Sequence, residues 1–550
     1  MRRALLVAVA LAGCAPHPAR FADRQILWFE HDDAPVPMPP KRDEFESGRT
    51  FLGARNAFFR PVDRVLSVDY GTEAANVNAV DEAPDSTWWR DRRRDPGRPW
   101  APPLPLGAAV VGRGAVDEDP PQPPFHISAA LSGGSDAGFI VVDAKQRRYA
   151  LKLDPEGHPG LVTGADAVCT RLAWASGWNV PADVIIDFQR GDLVVDKQAK
   201  MSNRWGQKEP LYDDDVDAIL YHAYRDGNGR YRANASRWVA GKVLGAFAFM
   251  GTDRHDANDR FAHEDRRDLR GFGVFAAWVD DVDIMENNTL DSYVGEPGRG
   301  HVVHYELDVG GSFGQFAAEA GPYWLGDQSY LQGWRVLGSI LTLGLLPHRW
   351  EDERWQRQRR ALLAQYPEFG GYSADHFSLR GWKPIVDIPF IVRQTARDRY
   401  WGAKRLAAFT RPEIAAAVAS AQLRPAAAEY LEETLWQRRD RILRESFGES
   451  TALDHFAVDG ARLCFTDLWV RAGLGGEVGT AYRVREDGRD VAVVHGAPAD
   501  GGVCVSLPPR DGYRVVALAT SRPGERHFGH DVAVHLMSRG GRAYVIGALR

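Results

Sequence analysis

The stretch Asp283-Ile-Met-Glu-Asn-Asn288-Thr-Leu290, with Leu307-Asp308-Val-Gly310 after it, decides how this chain is read. An Asp and an Asn stand five positions apart, and an Asp before a Gly follows twenty residues after the Asn. Their side-chain oxygens are ligands for hard divalent cations. Asp and Asn also favour turns, because their side chains bond nearby backbone. Each residue alone therefore reads as a turn, and only their order carries chemistry.

Upstream, Gly133-Gly-Ser-Asp-Ala-Gly138 precedes two strand-like runs, Gly138-Phe-Ile-Val-Val142 and Arg148-Tyr-Ala-Leu-Lys152-Leu, joined by a polar turn. A helix is predicted over 165–176, with Val168, Cys169, Leu172 and Ala173 on one face and Gly177 as its stop. Asp166 in its first turn has two readings: a partner for Lys152, or part of a capping box in Thr163-Gly-Ala-Asp166. Further helices are predicted over 236–250 and from 264 to about 279. The apolar run at 336–346 is too short to cross a bilayer and reads as a buried helix. Thr410-Arg-Pro-Glu413 opens another helix, and Pro425 starts one that ends before Gly448. Arg438, Arg439 and Arg441 read as its solvated face.

These motifs resemble those of protein kinases. In that family a catalytic Asp stands five residues before a metal-binding Asn, and an Asp-Phe-Gly turn follows a short hairpin. Ala150-Leu-Lys152 is similar to the kinase strand motif Val-Ala-Ile-Lys, and Gly134 and Gly138 stand where a phosphate-covering loop would lie. The resemblance spans roughly residues 130–345 and implies an atypical kinase-like fold binding ATP with Mg²⁺ or Mn²⁺. Asp283 would be the general base, Asn288 and Asp308 the metal ligands, Lys152 the phosphate contact and Asp166 its holder. Asp281 and Val282 replace the family's His and Arg, and Val309 replaces Phe.

A second constellation competes. Asp253-Arg-His-Asp-Ala-Asn258 has the same spacing and resembles the loop of lipid kinases, with similar loops in toxin-type and secretory-pathway kinases. In that version Asp253 is the base, Asn258 a metal ligand, and Asp308 is retained, since Leu307-Asp-Val-Gly-Gly-Ser-Phe-Gly314 resembles a secretory-pathway kinase run. Gly310-Gly-Ser312-Phe-Gly314 also satisfies the nucleophile-elbow pattern of serine hydrolases, with His348 or His376 as bases. A catalytically inactive, pseudokinase-like scaffold is the non-enzymatic alternative.

With 550 residues, 44% of them apolar, and a net charge of −6, the chain has material for two or three cores and no basic surplus for nucleic acid. Arg2 and Arg3 precede a short apolar stretch ending in Leu11-Ala12-Gly13-Cys14, which resembles a bacterial lipobox. It implies a lipidated Cys14 and an exported protein held at the outer membrane or periplasmic face, acting on a protein or glycan. Cys464 and Cys504, on strand-like runs of one region, are the expected disulfide, and Cys169 a core thiol. The expected class is α+β: a signal peptide (1–14), a flexible tether (15–45), a bilobal kinase-like domain and a small all-β sandwich (451–550). That domain divides into a β-rich N-lobe (46–200) and a helical C-lobe (201–447).

Overall fold

The structure, a computed structural model, describes residues 20–42, 72–131, 137–203, 207–322, 324–327, 338, 340–343, 345 and 349–550. Cys14, Gly134, His348 and positions 336, 337, 339, 344 and 346 lie outside the described residues. In the rest of that apolar run Ile340, Leu341, Leu343 and Leu345 are exposed, which corrects its reading as a buried helix. The fold is mixed α/β. Its largest sheet takes β1 (Phe125–Ala130), β2 (Gly138–Val142), β3 (Arg148–Leu153), β4 (Asp183–Phe188), β5 (Leu193–Ser202), β6 (Lys208–Pro210) and β7 (Tyr231–Arg237). They are ordered β4-β7-β3-β2-β1-β5-β6, so the sheet continues past residue 200, where a helical region was expected to begin. The pairs are antiparallel except β1 with β5. On β3, Tyr149, Leu151 and Leu153 are buried on one face and Lys152 points to the other, the period-two pattern that the sequence displays.

Helix α1 (Thr163–Ser176) is buried on nearly every side, and two of its polar residues find acceptors within it: Thr170 donates to Asp166 O (2.7 Å) and Arg171 to Ala167 O (2.8 Å). Its N-terminus is capped from outside: Asp154 accepts from the backbone of Gly160 (2.7 Å), Val162 (3.0 Å) and Thr163 (2.9 Å). Asp166 is therefore spared that task. Gly177 ends the helix at φ 119°, and a Cβ there would lie 2.2 Å from the Trp89 ring nitrogen.

The helix expected over 236–250 is absent. That stretch finishes β7 and forms β8 (Lys242–Gly245), which joins β9 (Thr289–Val294) and β10 (His301–Glu306) in the order β10-β9-β8. Gly241 (φ 88°) and Gly245 (φ 118°) take left-handed backbone that a helix interior excludes, and Val243 pairs with Ser292 across the ladder. Tertiary pairing overrides an apolar spacing that only mimics a helical period.

The remaining described helices include α2 (Asp213–Tyr221), α3 (Arg267–Val279), α4 (Glu353–Gln365), α5 (Ala396–Ala407), α6 (Arg411–Ala419) and α7 (Pro425–Glu449). The Thr410 capping box is present at α6. Arg438 and Arg439 are 4% and 1% exposed, so the solvated-face reading of these two is corrected. Arg438 donates to Ala277 O (2.6 Å), near the end of α3, and Arg439 to Leu406 O (3.1 Å), near the end of α5. Guanidinium donors satisfy carbonyls that a terminating helix leaves open.

Residues 20–42, expected as a flexible tether, lie along the fold. Phe21 meets His535 edge-on at 4.8 Å, Val36 is buried with its amide on Gly300 O (2.9 Å), and Arg42 pairs with Asp253 and Asp291, both at 2.6 Å. Aromatic and aliphatic residues among the prolines give this segment something to bury.

After the two-residue strands β11 (Gln315–Phe316) and β12 (Glu319–Ala320), residues 453–549 form two antiparallel sheets. One is ordered β13 (Leu453–Asp459), β14 (Arg462–Asp467), β17 (Gly502–Ser506), the other β16 (Arg489–His495), β15 (Ala481–Glu486), β18 (Gly512–Ser521), β19 (Val532–Arg539), β20 (Arg542–Leu549). Their inner residues, among them Leu463, Phe465, Tyr482, Val516 and Leu536, share one core. Cys464 and Cys504 face each other across β14 (Arg462–Asp467) and β17 (Gly502–Ser506) and are disulfide-bonded, while Cys169 is a buried thiol. The bridge closes a loop with a sequence separation of 40. Reduction is expected to lower stability by about 2–4 kcal/mol, read as a shift of the denaturant midpoint for β13–β20 with and without reductant.

Candidate functional site

The largest sheet, the β7–β8 connection and the loops around β9 and β10 enclose a cleft of ≈ 980 Å³. Lys152, Asp283, Asn288 and Asp308, the four residues at the centre of the sequence argument, all line it. The hairpin β9–β10 brings them together: it pairs Thr289 with Glu306, so the chain leaving Asn288 returns at Leu307, whose amide donates to Asn288 O (2.9 Å).

Lys152 sits between two carboxylates. Its ammonium lies 2.8 Å from Asp308 Oδ1 and 3.2 Å from Asp166 Oδ2. Asp166 thus meets Lys152, which settles its two readings in favour of the ion pair. Burial pushes the Asp308 carboxyl up, but the Lys152 charge and the Gly310 N–H hold it below the usual carboxylate range. Asp308 is ionised at neutral pH.

Two glycines allow this close approach. A Cβ on Gly310 would stand 2.1 Å from Asp166 Oδ1, and one on Gly311 would stand 2.9 Å from Asp283 Cβ. The loop after Asp308 is therefore pressed against both acids. Asn288 Nδ2 donates to Asp283 O (2.7 Å), which commits the amide nitrogen to the backbone and leaves its carbonyl oxygen as the ligand-type atom.

Asp281, which the sequence reading passed over except as a departure, lies just behind these groups. It is 1% exposed and its Oδ1 has no hydrogen-bond partner. Burial, then Asp283, Asp308 and Glu306 nearby, pushes its carboxyl well above the usual carboxylate range. Asn234 was also missed. Its Nδ2 lies 3.2 Å from Asp166 Oδ2, and an Asn in a strand interior, where the residue type is depleted, was the available signal.

Glu306 offers a pH test. Burial, then Asp268 and Asp291, push its carboxyl up to about 8 from the ordinary 4.5. The folded state keeps a proton that the unfolded chain releases, so this contribution is complete below about pH 4.5 and is lost as pH rises through about 8. Glu306→Gln is expected to flatten stability across that window and to raise it on the alkaline side, as followed by urea midpoints against pH.

The competing constellation is elsewhere. Asp253 pairs with Arg42, and Asn258 Nδ2 donates to Ala34 O (2.8 Å); neither lines the cleft. Both residues hold the N-terminal segment. Ser312 is fully buried and its hydroxyl donates to Val309 O (2.6 Å), so it presents no nucleophile to the cleft, which removes the hydrolase reading.

The residues present fit a hard cation shared with phosphates. Among the described residues no group of three or more His, Cys, Asp or Glu is arranged to hold a metal alone. Mg²⁺, however, is bound through one or two carboxylates together with substrate phosphates, and the oxygen-only set of Asn288 and Asp308 beside Lys152 suits that chemistry.

No protein-family model matches the chain, and no curated protein matches it. Among solved structures it is similar to the Golgi casein kinase, at 10% identity and a TM-score of 0.30, over 61% of this chain and 76% of that one. A structure of the Golgi casein kinase with Mn/ADP bound is similar at 10% identity and a TM-score of 0.23, over 54% and 75% of the two chains. The likeness is distant, and the case for the site rests on this chain's own residues.

Proposed function

We propose that this protein is a kinase-like phosphotransferase of the cell envelope, whose cleft binds ATP with Mg²⁺ or Mn²⁺. The observation that carries the reading is Lys152 held between Asp166 and Asp308 in a cleft that Asp283 and Asn288 also line. Lys152 contacts the phosphates, Asp166 holds it, Asn288 and Asp308 hold the cation, and Asp283 accepts the proton of the acceptor hydroxyl. The cation, when bound, supplies charge neutralisation at the transferred phosphoryl group. The largest sheet with α1 and the helices beyond α3 serve as the two lobes, and residues 451–550 as a sandwich-type binding module. Lipidation at Cys14 anchors the chain to the membrane, and the acceptor is a protein or glycan.

One observation favours the alternative, a catalytically inactive scaffold. The direct contact of Lys152 with Asp308 neutralises the two groups that phosphate and cation would each need. Thermal unfolding of the purified protein separates the cases. ATP with Mn²⁺ is expected to raise the melting temperature, and Asp308→Ala to abolish that rise. The absence of a shift with any nucleotide and cation in the unsubstituted protein would falsify the nucleotide-site reading and leave the scaffold.

A further inference from the structure

Across the β3–β7 ladder Lys152 stands directly opposite Asn234, and across β4–β7 Asp183 stands opposite Ser236. Directly opposed residues share a face, and so do residues two apart on one strand, so Lys152, Asn234, Ser236 and Asp183 form one polar stripe. The Asp166 carboxylate of α1 reaches this stripe. Asn234 is 1% exposed, Asp166 2% and Asp183 3%. Buried carboxylates without partners are costly, and an amide nitrogen has two hydrogens to give. Asn234 gives one to Asp166 Oδ2 at 3.2 Å. One amide thus ties β7 to the acid of α1 that pairs with Lys152.

We propose that Asn234 is a positioning residue for Lys152, its amide holding Asp166 so that the Lys152–Asp166 pair keeps a single geometry. The nucleotide role of that pair rests on the function proposed above; the contact itself does not. Gly310 packs against the other oxygen of Asp166, where a Cβ would stand 2.1 Å from Oδ1, so the carboxylate is held from both sides. A purely structural role for Asn234 would lower stability without touching Lys152.

Two measurements on the full protein decide the matter. Competitive labelling of Lys152 by acetic anhydride, read by mass spectrometry without nucleotide, is expected to rise about tenfold in Asn234→Ala, the worth of one charge-assisted hydrogen bond. In an Asp166→Ala background the same substitution is expected to change labelling by less than about twofold, because the group it positions is gone. Mn²⁺–ATP affinity is expected to fall by a similar factor in Asn234→Ala and to show the same dependence on Asp166. Should Asn234→Ala not fold, Asn234→Asp keeps the volume and replaces the donor. Unchanged labelling, or an equal rise in both backgrounds, overturns the proposal. A labelling rise in a protein that binds no nucleotide upholds the positioning contact and overturns the function instead.

Discussion

Asp283→Ala is expected to lose phosphoryl transfer by at least about 100-fold while keeping the thermal stabilisation by Mn²⁺–ATP, since general-base assistance is worth about 10²–10⁴ in rate. The argument rests on how the acids divide their charge. Asp281, buried beside Asp283, Asp308 and Glu306, has its carboxyl pushed well up. Asp308 is held ionised by Lys152 and, in the proposed function, is a cation ligand. Asp283 lines the cleft as the proposed base, and the Asn288 amide holds its loop through the Asp283 carbonyl. Asp283→Ala keeps that carbonyl and both proposed cation ligands. Radiolabelled γ-phosphate transfer or phosphate release, measured alongside melting temperature, checks both halves. Retained transfer in Asp283→Ala would assign the base elsewhere, and loss of nucleotide stabilisation would show that Asp283 is a ligand.

The parts of this site that could be read from sequence are the ones set by local rules. The β2–β3 hairpin follows from alternation and a polar turn, α1 from its apolar face and Gly177, and the return from Asn288 to Asp308 from a segment of hairpin length. What could not be read depends on partners distant in sequence. Asp253 with Asn258 has the same spacing as Asp283 with Asn288; what separates them is that Ala34 and Arg42 take up the first pair. Spacing contains no trace of that contact. The run 236–250 looks helical until β9 is there to pair with β8, and Arg438 looks solvated until the end of α3 is seen to need a donor. Asp281 could not be singled out because its importance lies in burial beside other acids, and Asn234 left only the weak signal of an Asn inside a strand. Cys464 and Cys504 were reachable because two cysteines on nearby strands leave few alternatives.

Helix α3, which precedes the Asp283 loop, is anchored by a buried ionic cluster, and Asp398→Ala is expected to cost about 3–5 kcal/mol of stability. Helix α3, which leads directly into Asp280, Asp281 and Asp283, carries Arg267 and Arg270, both with fully buried side chains. Asp398 meets Arg267 at 2.9 Å and Arg270 at 3.1 Å, while accepting the Thr395 amide (2.8 Å) that caps α5. Arg267 has a second partner in Asp81 (2.8 Å), but Arg270 otherwise relies on the quarter-exposed Asp265 and on backbone carbonyls. Truncating Asp398 leaves a guanidinium in a site with no water to solvate it, which is why breaking a buried pair costs more than the pair contributes. Asp398→Asn keeps the cap and one acceptor and should lose clearly less. Chemical denaturation of the two variants tests the ordering, and a loss below about 1 kcal/mol in Asp398→Ala would mean that water reaches Arg270. Nucleotide affinity in the folded fraction of either variant should stay within about twofold, because the cluster fixes where α3 begins and the site lies beyond where it ends.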